Sequence, residues 1–222
     1  MTAPVNFDSA LLDGVLSDWL VALRESSVES VVVLGPDPWG PPECRDVLAV
    51  HPPRFVNAAA ALAHSGDFGA SWRDSDAPLV AWQNIATSAT GEANRWRRLW
   101  LGHGFQSMVR VAFALPTGRA FECFMFSPRL LHDRAEAAAL VWSALHIWPL
   151  LKRSIAKARS PLSPRECECL AMAFEGKTAA ETARDLACTE RTVVFHLANA
   201  MRKLRVDNKI AAAQRACLLG AI

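Results

Sequence analysis

Tyrosine is missing from all 222 residues, and lysine is missing before position 152. The second absence excludes two nucleotide-linked chemistries from the front of the chain. A phosphate-binding loop needs a lysine that reaches the phosphates, and a phospho-receiver domain needs one beside clustered aspartates. Glycine is sparse, and the pair Gly102 and Gly104 does not make a nucleotide loop. Long hydrophobic runs are lacking too: the most apolar stretch, 137–151, is broken by His146 and Pro149 and is too short to span a bilayer. The first fourteen residues have neither a basic start nor an apolar core, so no secretory signal is read and a cytoplasmic location is expected. The six cysteines (44, 123, 167, 169, 188 and 217) form no paired framework, in keeping with a reducing compartment. Cys167 and Cys169, two apart on a helix, diverge and make a poor metal pair. With no zinc spacing, nucleophile elbow or patterned carboxylate pair, neither enzyme, metal nor cofactor is expected.

What is present is divided along the chain. Residues 1–151 carry eleven arginines against fifteen acids, a net of −4, whereas residues 152–222 carry thirteen basic and seven acidic residues, a net of +6. The back of the molecule should therefore draw a polyanion. In that basic segment three helix starts follow in quick succession. Ser163-Pro164-Arg165-Glu166 is a capping box with proline at the first helical position, and Thr178 to Glu181 is a second box two residues after Gly176, a natural helix stop. Thr189 caps a third helix. Apolar residues share one face of each helix: Leu170, Ala173 and Phe174; Ala183 and Leu186; Val193, Leu197, Ala200 and Leu204. Three short amphipathic helices ending on a basic one are the layout of a helix-turn-helix.

The string Leu162 to Glu166, Leu170, Gly176-Lys177, Thr192-Val193, Phe195-His196, Lys203-Leu204, Ala213 and Gly220 resembles the LuxR-type helix-turn-helix regulators. That resemblance implies that the helix from about 189 to 204 enters the DNA major groove and that the last helix, about 209–219, helps to pair two subunits. Arg191 and Thr192 are then expected at base edges and Lys177, His196, Asn199, Arg202 and Lys203 mainly at phosphates, with the cap Thr189 also in the DNA-binding set. One departure stands out: Val194 occupies a position where the family usually carries Lys or Arg. The stripe Ile210, Ala213, Ala216, Cys217 and Leu219 on the last helix predicts a partner surface, hence a homodimer on two-fold symmetric double-stranded DNA.

The front segment alternates helices and strands. Helices are predicted over 8–26, with Leu12, Leu16, Trp19 and Leu23 at helical spacing, and over 53–64, 92–103 and 132–157. Strands are predicted over 28–34 and 47–50, with a hairpin of 106–115 and 120–127 around Pro116-Thr117-Gly118. The expected fold class is α+β: an N-terminal α/β/α sandwich with an antiparallel sheet over 1–157, a linker at 158–162 and an all-α helix-turn-helix domain over 163–222. The sandwich resembles the ligand-sensing half of LuxR-type quorum-sensing regulators. In acyl-homoserine-lactone receptors of that kind a Tyr-Pro pair, a Trp, further tyrosines, an Asp and a second Trp line the pocket. Here His51-Pro52 replaces Tyr-Pro, Phe55 replaces the first Trp, Ala59 replaces a Tyr, and Met108 stands for a usual glycine; Asp67 after Gly66 and Trp82 are kept. Phe55 has no N–H for a lactone carbonyl. The expected ligand site is His51, Phe55, Asp67, Trp82 and Trp100, walled by tryptophans including Trp72, for an apolar small molecule other than a lactone. Trp96, Trp100 and Trp142 also read as plain core. The alternatives that stay open are a true lactone receptor and a ligand-independent regulator or antagonist with a purely structural front domain.

Overall fold

Triple valine at 31–33 on one strand, and helices carrying apolar residues three and four apart, favour a sheet covered on both faces. The computed structural model describes residues 5–6, 14–41, 43–65, 67, 79–85, 94–116 and 118–222. Leu12, Gly66, Trp72 and Thr117, invoked above, lie outside them, as does the stretch 8–13 of the first expected helix. The chain separates into two compact units, Met1–Ile155 and Ala156–Ile222.

The first unit holds a six-stranded sheet of β1 (Val5–Asn6), β2 (Ser30–Pro36), β3 (Arg45–His51), β4 (Val80–Asn84), β5 (Ser107–Ala114) and β6 (Ala120–Ser127), in the order β1-β3-β2-β6-β5-β4. All pairings are antiparallel except the two-residue β1 beside β3. Neither β1 nor β4 was expected from sequence. One face is covered by α1 (Gly14–Glu25) and α4 (Arg134–Arg159), which bury Leu16, Trp19 and Leu23 and, from α4, Leu140, Ala144 and Ile147. Trp19 Nε1 donates to Ser143 Oγ at 2.7 Å and ties these helices together. The other face is covered by α2 (Val56–Ala63), preceded by a 3-10 turn at Pro53–Phe55, and by α3 (Arg95–Gly102). The α/β/α sandwich is therefore observed. Cys123 sits in its core, where burial pushes the thiol up to about 12, so it is an inert packing group. Gly35 in β2 is required by close approach: a Cβ there would lie 2.4 Å from Leu48 and 2.8 Å from Phe121.

Helix α4 continues through Pro149 to Arg159, past the start of the expected linker. In the second unit the helices are α5 (Pro164–Phe174), α6 (Ala179–Asp185), α7 (Glu190–Leu204) and α8 (Lys209–Leu218). Both capping boxes form with reciprocal bonds, and Gly176 adopts φ +88° where α5 stops. Leu170, Ala200, Leu204, Ala212, Ala216 and Leu219 make one core cluster, and Cys169, Ala183 and Val193 a second beneath α6. Phe174, assigned above to the apolar face of α5, is instead exposed at the helix end.

Candidate nucleic-acid interface and sensor face

Helix α7 has its start fixed chemically. Thr189 Oγ1 accepts from the Thr192 backbone N–H at 3.1 Å and lies 2.8 Å from the Thr192 hydroxyl, so both threonines expected near DNA also build the cap. Val193, Ala200 and Leu204 are buried with Leu197 half-buried, which turns Arg191, Phe195, Ala198 and Arg202 outward. The Arg202 guanidinium donates to Asn199 Oδ1 at 3.3 Å, so these two act as one polar pair. His196 is half-buried and makes an edge contact with Phe195.

The two lysines nominated for phosphate contacts are engaged within the unit. Lys203 Nζ donates to Glu166 Oε2 at 2.8 Å, and the same carboxylate accepts the Ser163 N–H of the first capping box. Burial pushes the Glu166 pKa up, but Lys203 and the Ser163 N–H outweigh it and hold it below its ordinary value. Glu166 thus joins the start of α5 to the end of α7, a role the sequence reading missed because it assigned Glu166 to the cap alone. Lys177 Nζ lies 2.9 Å from Asp185 and 3.5 Å from Glu175, and hydrogen bonding to Asp185 raises its pKa. Of the apolar stripe on α8, Ala213, Ala216, Cys217 and Leu219 are buried within this unit, and only Ile210 is left outside, 77% exposed. The stripe is mostly spent on its own core.

The five residues nominated for ligand do not converge. Phe55 and Trp100 do meet: their ring centroids are 5.6 Å apart in a cluster with Phe105 and Phe126, where Trp100 stacks on Phe126 at 3.7 Å. Trp100 Nε1 is buried there without a hydrogen-bond partner. Asp67 lies at the edge of this face, its Oδ2 accepting from Trp96 Nε1 at 2.9 Å and from Arg97 at 3.1 Å. His51 and Trp82 are on the opposite face. His51 pairs across the sheet with Val31 and receives a bond from Arg24 of α1 at 3.1 Å; Trp82 pairs with Val109, and both Val31 and Val109 belong to the α1/α4 core. Directly paired residues point to the same side of a sheet, so the five expected residues do not form one site: Phe55, Trp100 and Asp67 share one side, His51 and Trp82 the other. Trp82 instead lines a hollow of about 450 Å³ with Val80, Arg134, Val141 and Trp142. Trp142, expected in the core, is 72% exposed.

The α2/α3 face also holds a charged network with no local sequence signal. The Arg45 guanidinium donates to Glu122 at 2.9 Å and to the carbonyls of Leu62 and Ser65 at the end of α2, and Arg110 Nε donates to the second Glu122 oxygen at 2.7 Å. All three side chains are buried.

Residues 160–216 match the family model described as bacterial regulatory proteins, luxR family. The transcriptional activator protein AnoR of Acinetobacter nosocomialis is 58% identical over 59 residues, 27% of this chain and 25% of that protein. The transcriptional activator protein SolR of Ralstonia solanacearum is 38% identical over 126 residues, 57% of this chain and 51% of SolR, a stretch longer than the C-terminal unit. The similarity to AnoR thus spans about a quarter of its length. Among solved structures, Escherichia coli SdiA has the same fold, with TM-score 0.52 and 21% identity over 94% of this chain and 90% of SdiA. SdiA has also been solved in complex with octanoyl-rac-glycerol.

Proposed function

We propose, on the premise that its C-terminal unit is a LuxR-family helix-turn-helix domain, that this chain is a DNA-binding transcription regulator whose front unit senses an apolar small molecule. The observation that carries the DNA reading is the outward face of α7, where Arg191 and Arg202 stand exposed on a helix whose opposite face is buried. In this reading Arg191 approaches base edges, Arg202 with Asn199 contacts phosphate, and two copies in the cytoplasm read a two-fold symmetric site. Lys177 and Lys203 are chiefly positioning residues, because each is already paired with a carboxylate.

In this reading the ligand is an apolar molecule other than an acyl-homoserine lactone. Phe55 offers no N–H, and Ala59 is a buried methyl where the lactone receptors have a tyrosine, while Oδ2 of Asp67 accepts from Trp96 and Arg97. A lactone carbonyl left unpaired in such a site loses ~1–3 kcal/mol. A second reading, a front unit that needs no ligand, is favoured by the tight Phe55, Trp100, Phe105 and Phe126 cluster on that face.

A thermal-shift panel separates these readings, since a ligand of the folded state raises its melting temperature by mass action. Neutral acylglycerols such as octanoyl-rac-glycerol are expected to raise the melting temperature of the front unit. Acyl-homoserine lactones at the same micromolar concentrations are expected not to. A lactone shift abolished by Asp67→Ala restores the lactone receptor, and silence across the whole panel leaves the ligand-independent regulator.

A further inference from the structure

Val194 and Phe195 are 56% and 60% exposed on α7. At about 100° per residue, Val194, Phe195 and Ala198 adjoin one another on the helix surface, because Ala198 lies one turn beyond Val194. Ala198 is exposed as well. The three make a small apolar patch bordered by Arg191 one turn before it and by Asn199 and Arg202 after it. Two adjacent large apolar side chains exposed on the outward face of a helix mark a contact surface. The surrounding cations select its partner as a polyanion, which excludes an apolar protein groove as the natural occupant. A duplex major groove meets both requirements, since it presents phosphates at its walls and one apolar group on its floor, the C5-methyl of thymine.

We propose that Val194 reads a thymine methyl group. This assignment rests on the DNA-binding reading above and deepens it by naming the base. A lysine or arginine at position 194 would favour the O6 and N7 acceptors of guanine; valine has no donor and gains only by covering a methyl group. Phe195, beside it, shields the contact from water. The preferred half-site therefore has a thymine where Val194 lies, with Arg191 contacting a neighbouring base pair.

The test uses the full chain and an operator selected by it from random duplexes. Each thymine of the selected duplex is replaced in turn by deoxyuridine, which removes only the methyl group, and affinity is read by fluorescence anisotropy. Replacement at one thymine per half-site is expected to weaken binding about fourfold, the ~0.8 kcal/mol worth of one buried methyl. In Val194→Ala, whose exposed position leaves folding intact by circular dichroism, the same replacement is expected to cost nothing. Val194→Lys is expected to select guanine at that position. A deoxyuridine penalty that persists in Val194→Ala overturns the assignment, as does an operator in which no thymine methyl matters. If the wild-type chain selects no sequence at all, the DNA-binding reading itself falls, a result distinct from either.

Discussion

Substitution of Glu166 separates its two jobs. Glu166→Gln keeps an oxygen that can accept the Ser163 N–H, as glutamine does in a capping box, and removes only the charge facing Lys203. The pair lies between a surface ion pair, worth ~0–1 kcal/mol, and a fully buried one, because the Lys203 side chain is 31% exposed and that of Glu166 is 5%. A loss of about 1 kcal/mol is expected. Glu166→Ala also removes the reciprocal cap bond, worth about 1 kcal/mol more, and leaves the half-buried Ser163 N–H unsatisfied, for a total of ~2–3 kcal/mol. All eight tryptophans precede position 149, so their fluorescence follows the first unit alone, whereas far-ultraviolet circular dichroism follows both units. In urea, the circular-dichroism transition of the helical unit should move to lower denaturant in the order wild type, Glu166→Gln, Glu166→Ala, while the fluorescence midpoint stays put. A double-mutant cycle with Lys203→Met should show a coupling of about 1 kcal/mol. Equal losses for the two Glu166 variants, or strict additivity with Lys203→Met, would refute the double role.

Three further outcomes are expected. Glu122→Ala removes the carboxylate that faces the buried Arg45 and Arg110 guanidiniums and should cost ~3–5 kcal/mol in the fluorescence-detected transition, far more than an isolated surface pair; a loss below about 1 kcal/mol would show the network to be dispensable. Trp100→Ala removes a fully buried ring stacked on Phe126 and should cost ~3–5 kcal/mol, measured in the same transition. Arg129 and the His132 N–H hold Glu136 at about 2 against an ordinary 4.5. A depressed carboxylate contributes stability that is complete above 4.5 and disappears as pH falls through 2, so acid urea titrations should lose stability across that window, and Glu136→Gln should flatten the slope.

Local chemistry was legible in the sequence, and long-range register was not. The capping boxes at Ser163 and Thr178 and the stop at Gly176 were readable because each is settled within four residues. The buried face of α7 was readable from its spacing. His51 and Trp82 were misplaced because which side of a sheet a residue faces depends on pairing, with Val31 and Val109 here, and a one-residue difference reverses it. Trp142 was misplaced because its spacing from Trp96 and Trp100 does not show which side of a separate helix is covered. The Arg45 contact with Glu122 spans 77 positions and leaves no periodic trace. The α8 stripe was read correctly as apolar, but its partner is mainly the unit's own core.

Competition binding tests sequence-specific DNA recognition by this chain most directly. Full-length chain is titrated at physiological salt against the selected two-fold symmetric duplex and against a scrambled duplex of equal length and composition. A preference of ~10³-fold or more for the selected duplex is expected, with Arg191→Ala losing ~1–3 kcal/mol on it and almost nothing on the scrambled one. Equal affinity of the wild-type chain for the two duplexes, or equal losses on both for Arg191→Ala, would contradict sequence-specific recognition.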